Sequence, residues 1–295
     1  MKRYRETGGY GSRKRSGRPS GTSARDDNAI HRLVKQKPFI TSPEIKQELP
    51  FLRITPRTIR HRLLTKLNLR SRKPARKPYL NAKQMKMRLD FCKKYRKLTK
   101  DQWNDVMFSD ESTFQQFGIR RTVVRRPPNT RYSCKYTVPM MKHPEKVMIW
   151  GCFSAAGRGS IHFVPKNETV NAQRYIRILE SKLLPFLPIH GTTTFQQDSA
   201  PCHTAKSVKS WLQKKKIKLL DWPGNSPDLN PIENLWELLK RRVVRRAPKN
   251  MQDLTFFIKY TWCREITPDL CRKLAHTMPQ RIATVLKAKG QPTKY

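Results

Sequence analysis

Between residues 23 and 69 the apolar positions recur three and four apart, the spacing of one helical face. Ile30, Leu33 and Val34 mark a first helix that Ser23 can cap. Ile45 and Leu49 mark a second, opened by Thr41-Ser42-Pro43-Glu44. A third starts at Thr55-Pro56, a capping residue followed by proline at the first helical position. Its run RTIRHRLLTKL turns Ile59, Leu63 and Leu64 toward the core. One further helix, NAKQMKMRLDFCKKYRKL at 81–98, links this region to the rest.

From Trp103 the pattern changes. VMFS, TFQQF, KVMIWGCF and SIHFVP are short β-rich runs with turns between them. They are followed by helix NAQRYIRILESKLLPFL, strand TTTFQQD, helix HTAKSVKSWLQKKK, strand IKLLDW and helix NPIENLWELLKRRV, and the tail after Asn250 reads as helical. This order predicts an α/β fold: a mixed sheet flanked by helices, preceded by a small all-α domain. The expected divisions are 1–22, a basic Gly/Arg-rich arm; 23–69, a helix-turn-helix domain; 70–102, a basic linker and helix; and 103–295, the α/β domain. The longest apolar run, VMIWGCFSAAG, falls short of the ~20 residues a membrane helix needs and reads as a buried strand. The basic N-terminus has no apolar stretch behind it and is no secretory signal.

Charge narrows the function. The chain has 63 Lys and Arg against 21 Asp and Glu, a formal net charge of +42. Its expected partner is a polyanion, because each neutralised phosphate releases a condensed counterion. Residues 1–100 hold 30 of the bases and 6 of the acids, so the front third is the expected DNA-gripping part. A membrane surface is the rival partner, but no long basic amphipathic helix with an aromatic face is present. A small-molecule substrate is not expected. The six cysteines lack a C-x-x-C pair or zinc spacing and read as reduced thiols of a nuclear or cytosolic protein; Cys202-His203, without a second pair, is not read as a metal site.

Candidate DNA contacts follow from this. Arg18, in KRSGRPSG, suits an A·T-rich minor groove, where negative potential is focused. A plain linker or a nuclear-import signal is the other reading of that arm. On the third helix Thr55, Arg57, Thr58, Arg60, His61 and Arg62 lie toward its outward N-terminal part, a layout for major-groove readout in which arginine grips guanine edges. A basic helical bundle with a solvated face is the alternative. Arg72 and Lys73, in LRSRKPARKP, are expected on phosphates as part of a wing or linker.

The scarce acids carry the chemistry. In DWPGNSPDLNPIENLWELLKRR, Asn230, Pro231 and Glu233 fit a capping box. Glu237 stands four residues before Arg241, an ordinary surface pair. Asp228 lies in a Ser-Pro-Asp turn suited to local side-chain-to-backbone bonding, and Asp221 lies at a strand end. Elsewhere, Asp110 follows the apolar run VMFS and Asp198 follows TFQQ, so both are expected to emerge at strand ends. If Glu233 converges with them, a cation must sit between the three. A pair of divalent ions so held activates water and stabilises the leaving oxygen of a phosphodiester.

FSDES, QQDSAPCHTA and WPGNSPDLNPIENLW resemble the motifs of mariner-superfamily DNA transposases, close to the branch that includes the reconstructed fish transposase Sleeping Beauty. The family's Asp, Asp and Glu fall on Asp110, Asp198 and Glu233, with 34 residues between the last two. WGCFSAAGRGSIHFV and KGQPTKY are similar too. The resemblance implies an RNase H-like catalytic domain and two Mg²⁺ ions on those acids, with Mn²⁺ able to substitute. It implies cut-and-paste transposition on double-stranded DNA, with hydrolysis at element ends and attack of the 3′-hydroxyl on a TA target by a homodimer. Members of the family carry two helix-turn-helix units, and GSRKRSGRPSG resembles the linker between them, so the first unit is expected to be missing. A catalytically idle DNA-binding remnant or recruited regulator, and a nuclease without strand transfer, are the competing functions.

Overall fold

In the first of two units, which ends at residue 76, each helix carries its own start signal. Ser23 accepts the Asp26 N–H and the Asp26 carboxylate accepts the Ser23 N–H, opening α1 (Ala24–Gln36). The Glu44 carboxylate accepts the Thr41 N–H at the head of α2 (Ser42–Glu48). The Thr55 hydroxyl accepts the Thr58 N–H at the head of α3 (Pro56–Thr65). Ile30, Ile45 and Ile59 are fully buried together, with Leu33 and Leu52 beside them. Each such side chain contributes about 1.5–3 kcal/mol on burial. Leu64, expected inward, is 50% exposed. Ile59 and Leu63 fill the inward face, and the next residue is turned about 100° further round the helix.

The structure is a computed structural model, and it describes residues 21–75, 77–115, 125, 127–130, 132–136, 145–166 and 168–295. The arm that carries Arg18 lies outside the described residues.

The second unit begins at residue 77 and includes the helix expected as a connector. Its elements run α4 (Ala82–Tyr95), β1 (Val106–Gln115), β2 (Lys146–Ser154), β3 (Gly157–Val164), α5 (Ala172–Ile178), α6 (Phe186–His190) and β4 (Thr194–Gln196). After these come α7 (Pro201–Thr204), α8 (Lys206–Lys214), β5 (Lys218–Leu219), α9 (Ile232–Arg245), α10 (Met251–Glu265), α11 (Pro268–Ala275) and α12 (Met278–Lys287). VMFS and the start of TFQQF are one strand, β1, rather than two. The helix expected over 171–187 is interrupted by a π-helical turn, Leu179–Leu183, and by Pro185, which has no N–H to continue the ladder. The helix expected over 203–216 starts at Pro201 and is split at Ala205, whose ψ of 145° is extended.

The sheet order is β3-β2-β1-β4-β5. β2 runs antiparallel to both its neighbours, whereas β4 and β5 run parallel to β1. Side chains alternate between the two faces of a strand. Phe108, Phe114, Ile149 and Phe153 therefore join the α4 and α9–α12 core. Met107, Trp150 and Phe195 join the α5–α8 core. The result is the mixed, helix-flanked sheet read from the sequence. No helix among the described residues is long and apolar enough to cross a membrane.

Asp228 ties this unit together over long range. Its carboxylate accepts two bonds from the fully buried Arg88 guanidinium, at 2.8 and 2.7 Å, and two more from Thr293, N–H at 2.8 Å and hydroxyl at 2.9 Å. Arg88 also donates to the Gly290 carbonyl, and Arg281 donates to the Asp228 carbonyl. The acid expected to bond within its own turn instead joins α4, the C-terminal tail and the approach to α9. Burial alone would raise its pKa; Arg88 and the Thr293 donors outweigh that and hold it below the usual carboxylate range.

Arg88→Met, which leaves a buried carboxylate without its partner, is expected to lower stability by about 3–5 kcal/mol in urea unfolding at pH 7. The Asp228 pKa is lower folded than unfolded. The stability it provides is therefore complete above the unfolded value of about 4 and lost as pH falls through the folded one. Asp228→Asn is expected to flatten that acid limb in urea melts taken between pH 7 and pH 2.

Candidate active site

Phe108 on β1 pairs with Gln196 on β4 in parallel register. β4 ends there, and Asp110 and Asp198 each lie two residues further along. Asp198 does follow a strand end, as expected. Asp110 does not: it sits in the middle of β1, just past the stretch that β4 accompanies.

Glu233 is brought to the same end by close packing. Asp110 pairs across the sheet with Gly151. A Cβ at Gly151 would lie 2.7 Å from the edge of the Trp236 ring, so the bare backbone is what lets α9 approach β2. Trp236 lies one turn after Glu233 on α9. Asn230 fixes the start of that helix: its amide donates to the Ser109 carbonyl at 3.1 Å and its oxygen accepts the Ile232 N–H at 3.3 Å. Ser109 in turn bonds Gln196, N–H to Oε1 at 3.1 Å and hydroxyl to carbonyl at 2.9 Å. One buried network thus joins β1, β4 and the head of α9.

These bonds replace the capping box. With the Asn230 side chain committed to Ser109 and Ile232, Glu233 makes no return bond and stands exposed at the first turn. Glu237 and Arg241 do not form the expected ion pair; Asp221, also at the surface, pairs with Lys94.

The acids feel one another. Burial, then the charge of Glu233, then those of Glu111 and Asp198 push the Asp110 carboxyl up to about 8, against the Glu111 backbone N–H. Water reaches Glu233, yet the protein around its base raises its pKa, with Lys240 opposing. Burial lowers the Lys240 pKa, and Glu233 and Asp110 act against that. Among the described residues, however, no group of three His, Cys, Asp or Glu side chains is near enough to hold one ion. Asp198 is turned onto His203.

His203 is the residue that sequence reasoning missed. Its Nδ1 lies 2.5 Å from Asp198 Oδ1 and its Nε2 lies 3.3 Å from Glu111 Oε1. Burial would lower its pKa, but the two carboxylates outweigh it and raise the value to about 10. Burial pushes Asp198 up, yet the His203 bond, the Ala200 N–H and the His203 charge bring it below the ordinary range. The signal was the histidine of QQDSAPCHTA, five residues after an acid, together with the second acid of FSDES.

In the first unit Arg57, Arg60 and His61 are exposed on α3, as are Arg72 and Lys73 beyond it. Thr55 and Thr58 bond each other at 3.1 Å, and the Thr55 hydroxyl serves as the cap. Arg62 departs from the expected outward set. Its Nε donates to Asp27 Oδ1 at 3.0 Å, its Nη2 to Oδ2, and its side chain is only 11% exposed. Three residues on from the buried Ile59, it lies on the inward flank and ties α3 to α1.

A family model described as "DDE superfamily endonuclease" matches residues 105–255, and a helix-turn-helix model described as "Transposase" matches residues 27–97. The chain is 34% identical over 280 residues to the Transposable element Tc1 transposase of Caenorhabditis elegans, covering 91% of this chain and 100% of the relative. It is also 34% identical to the Transposable element Tcb1 transposase of Caenorhabditis briggsae, with the same coverage. In fold it is similar to the solved structure described as the mariner Mos1 paired end complex with Mg, with a TM-score of 0.82 and 19% identity, covering 99% of this chain and 86% of that one. The Mos1 Strand Transfer Complex gives a TM-score of 0.81 at 17% identity, with the same coverage. Family model and relatives together define a DDE-type endonuclease. The chain belongs to the Tc1/mariner family of DNA transposases.

Asn230→Ala leaves the buried Ser109 carbonyl without its donor. It is expected to cost about 1–3 kcal/mol in urea unfolding, and a change below about 0.5 kcal/mol, the size of an ordinary surface substitution, would show that the link carries little.

Proposed function

We propose that Asp110, Asp198 and Glu233 are the catalytic acids, that they hold two Mg²⁺ ions for which Mn²⁺ can substitute, and that the chain performs cut-and-paste transposition with them. The observation that carries this reading is the crowding of Asp110, whose pKa rises under burial and under the charges of Glu233, Glu111 and Asp198. Such a group gains most from a cation. The donors fit in kind, since hard divalent ions take carboxylate oxygens and Mg²⁺ uses only one or two of them per ion. That also accommodates a site in which no three acids close around a single ion.

Ions so bound would activate the attacking oxygen and stabilise the leaving oxygen of a phosphodiester. In the first step water attacks phosphorus at an element end and the 3′-oxygen leaves as a hydroxyl. In the second that hydroxyl attacks a phosphodiester at a TA target, displacing the target's own 3′-oxygen. The network of Asn230, Ser109 and Gln196 keeps the strand and helix that carry the acids in register. Exposed Arg57, Arg60 and His61 are the base-reading candidates and Arg72 and Lys73 the phosphate contacts. The working form is a homodimer on double-stranded DNA in the nucleus. The second reading, a DNA-binding remnant, draws on the absence of a closed three-acid cluster among the described residues.

One assay separates the two: a labelled precleaved transposon end, a TA-containing target and Mg²⁺ or Mn²⁺. Joined product is expected from the parent chain and none from Asp110→Asn, Asp198→Asn or Glu233→Gln, with DNA affinity nearly unchanged. No product from the parent at any metal concentration favours the remnant; product surviving all three changes refutes the assignment of the acids.

Arg57→Ala and Arg60→Ala are each expected to weaken DNA binding about tenfold, within the 1–3 kcal/mol of a base-reading contact, at unchanged melting temperature. Arg62→Ala is expected to lower the melting temperature instead. Gel shifts and thermal melts on the three variants check both halves.

A further inference from the structure

Asp198 uses one oxygen for everything around it. The Ala200 N–H donates to Oδ1 at 2.9 Å, and His203 Nδ1 lies 2.5 Å from the same atom. Among the described residues Oδ2 receives no bond. The His203 ring is itself held on three sides. It stacks on Tyr175 with centroids 3.9 Å apart and planes 28° apart. Its far nitrogen reaches Glu111 Oε1 at 3.3 Å. Its carbonyl accepts the Gln197 side-chain amide at 3.0 Å, and Gln197 Oε1 accepts the Tyr175 hydroxyl at 2.9 Å. Tyr175, Gln197 and His203 thus close a buried loop of contacts around the residue next to Asp198.

A ring stacked, tethered and bonded at both nitrogens is a rigid donor, and its target is a half-exposed carboxylate. We infer that His203 is a positioning residue for Asp198: it engages Oδ1 so that Oδ2 is the oxygen offered to a divalent cation, and Glu111 fixes the ring that does so. The inference rests on the reading of Asp198 as a metal-holding acid. It also gives Glu111 a role distinct from that of its neighbour Asp110, since the two point to opposite faces of β1. Partners of this kind, one shell out from an ion, typically change metal affinity 10- to 100-fold when removed.

The full chain provides the test, in His203→Ala, His203→Asn, His203→Gln and Asp198→Asn. Asparagine places an amide N–H near the position of Nδ1, whereas glutamine places one near Nε2. Mn²⁺ binding is measured by electron paramagnetic resonance, and the Mg²⁺ concentration for half-maximal strand joining is measured alongside. His203→Ala is expected to weaken Mn²⁺ binding and raise the half-maximal Mg²⁺ at least about tenfold, with His203→Asn recovering most of both and His203→Gln neither. Equal behaviour of the Asn and Gln variants overturns the inference even if the Ala variant folds poorly. Parent-like Mn²⁺ binding in His203→Ala, with binding lost in Asp198→Asn, sinks the positioning role and leaves Asp198 as a ligand. Parent-like Mn²⁺ binding and joining in Asp198→Asn sinks the catalytic reading itself.

Discussion

The close approach of Trp236 to Gly151 is the contact from which the site is built. It sets α9 against the sheet at the position opposite Asp110, and so determines where Glu233 can stand. Trp236 is almost wholly buried, edge-on to Phe114 at 6.2 Å and stacked on Trp262 at 5.5 Å; Trp262 is anchored through its indole N–H to the Gly159 carbonyl at 3.0 Å. Aromatic pairs of this geometry add about 0.5–1.5 kcal/mol each beyond the area they bury. That packing holds Glu233 near enough for its charge to raise the Asp110 pKa. A side chain at position 151 would lift the helix away from the sheet, and Glu233 with it.

Strand geometry then divides the acids between two environments. Asp110 faces the α9 side, where the neighbouring cation is Lys240, half-buried above the Phe114 ring at 5.4 Å. Glu111 faces the α5–α8 side, where the neighbouring cation is His203. Asp198, beyond the end of β4, engages the second of these. The two sides differ in consequence. Lys240 only partly relieves its neighbours, and Asp110 and Glu233 stay raised. His203 more than relieves Asp198, which falls below the ordinary carboxylate range. Asp110 and Asp198, each two residues beyond a paired position of adjacent strands, are therefore shifted in opposite directions.

What was legible in the sequence was what is local. The starts of α1, α2 and α3 rest on Ser23, Thr41 with Glu44, and Thr55 with Pro56, signals contained within four residues. The sheet class followed from the spacing of short apolar runs, and the acids Asp110, Asp198 and Glu233 from motifs that resemble a family. What was not legible depends on partners far along the chain. Arg62 looks like a DNA contact until Asp27, 35 residues earlier, occupies its guanidinium. Asp228 looks like a turn residue until Arg88, 140 residues away, and the tail at Thr293 reach it. Asn230 has the right spacing for a capping box, but a buried carbonyl on β1 competes for its amide, and a buried acceptor costs more to leave unpaired than an exposed helix end. His203 was passed over because it was weighed beside Cys202 in sequence, when its partners are Glu111 and Asp198 in space.

These pairings bear on how so basic a chain places its few acids. Twenty-one carboxylates among 63 bases could be scattered as solvating charge, yet several serve as structural counter-ions. Asp27 holds Arg62, Asp228 holds Arg88, and Glu265 holds both Arg242 and Arg246. Each such pair removes a base from the field that attracts phosphate while fixing an element in place. Asp110 on β1 and Glu233 on α9 are arranged differently: among the described residues neither forms an ion pair, and both pKa values stay raised. A DNA phosphate drawn in by the surrounding Lys and Arg would by itself worsen that crowding. Divalent cations held by these acids would relieve both repulsions at once, acid against acid and acid against phosphate.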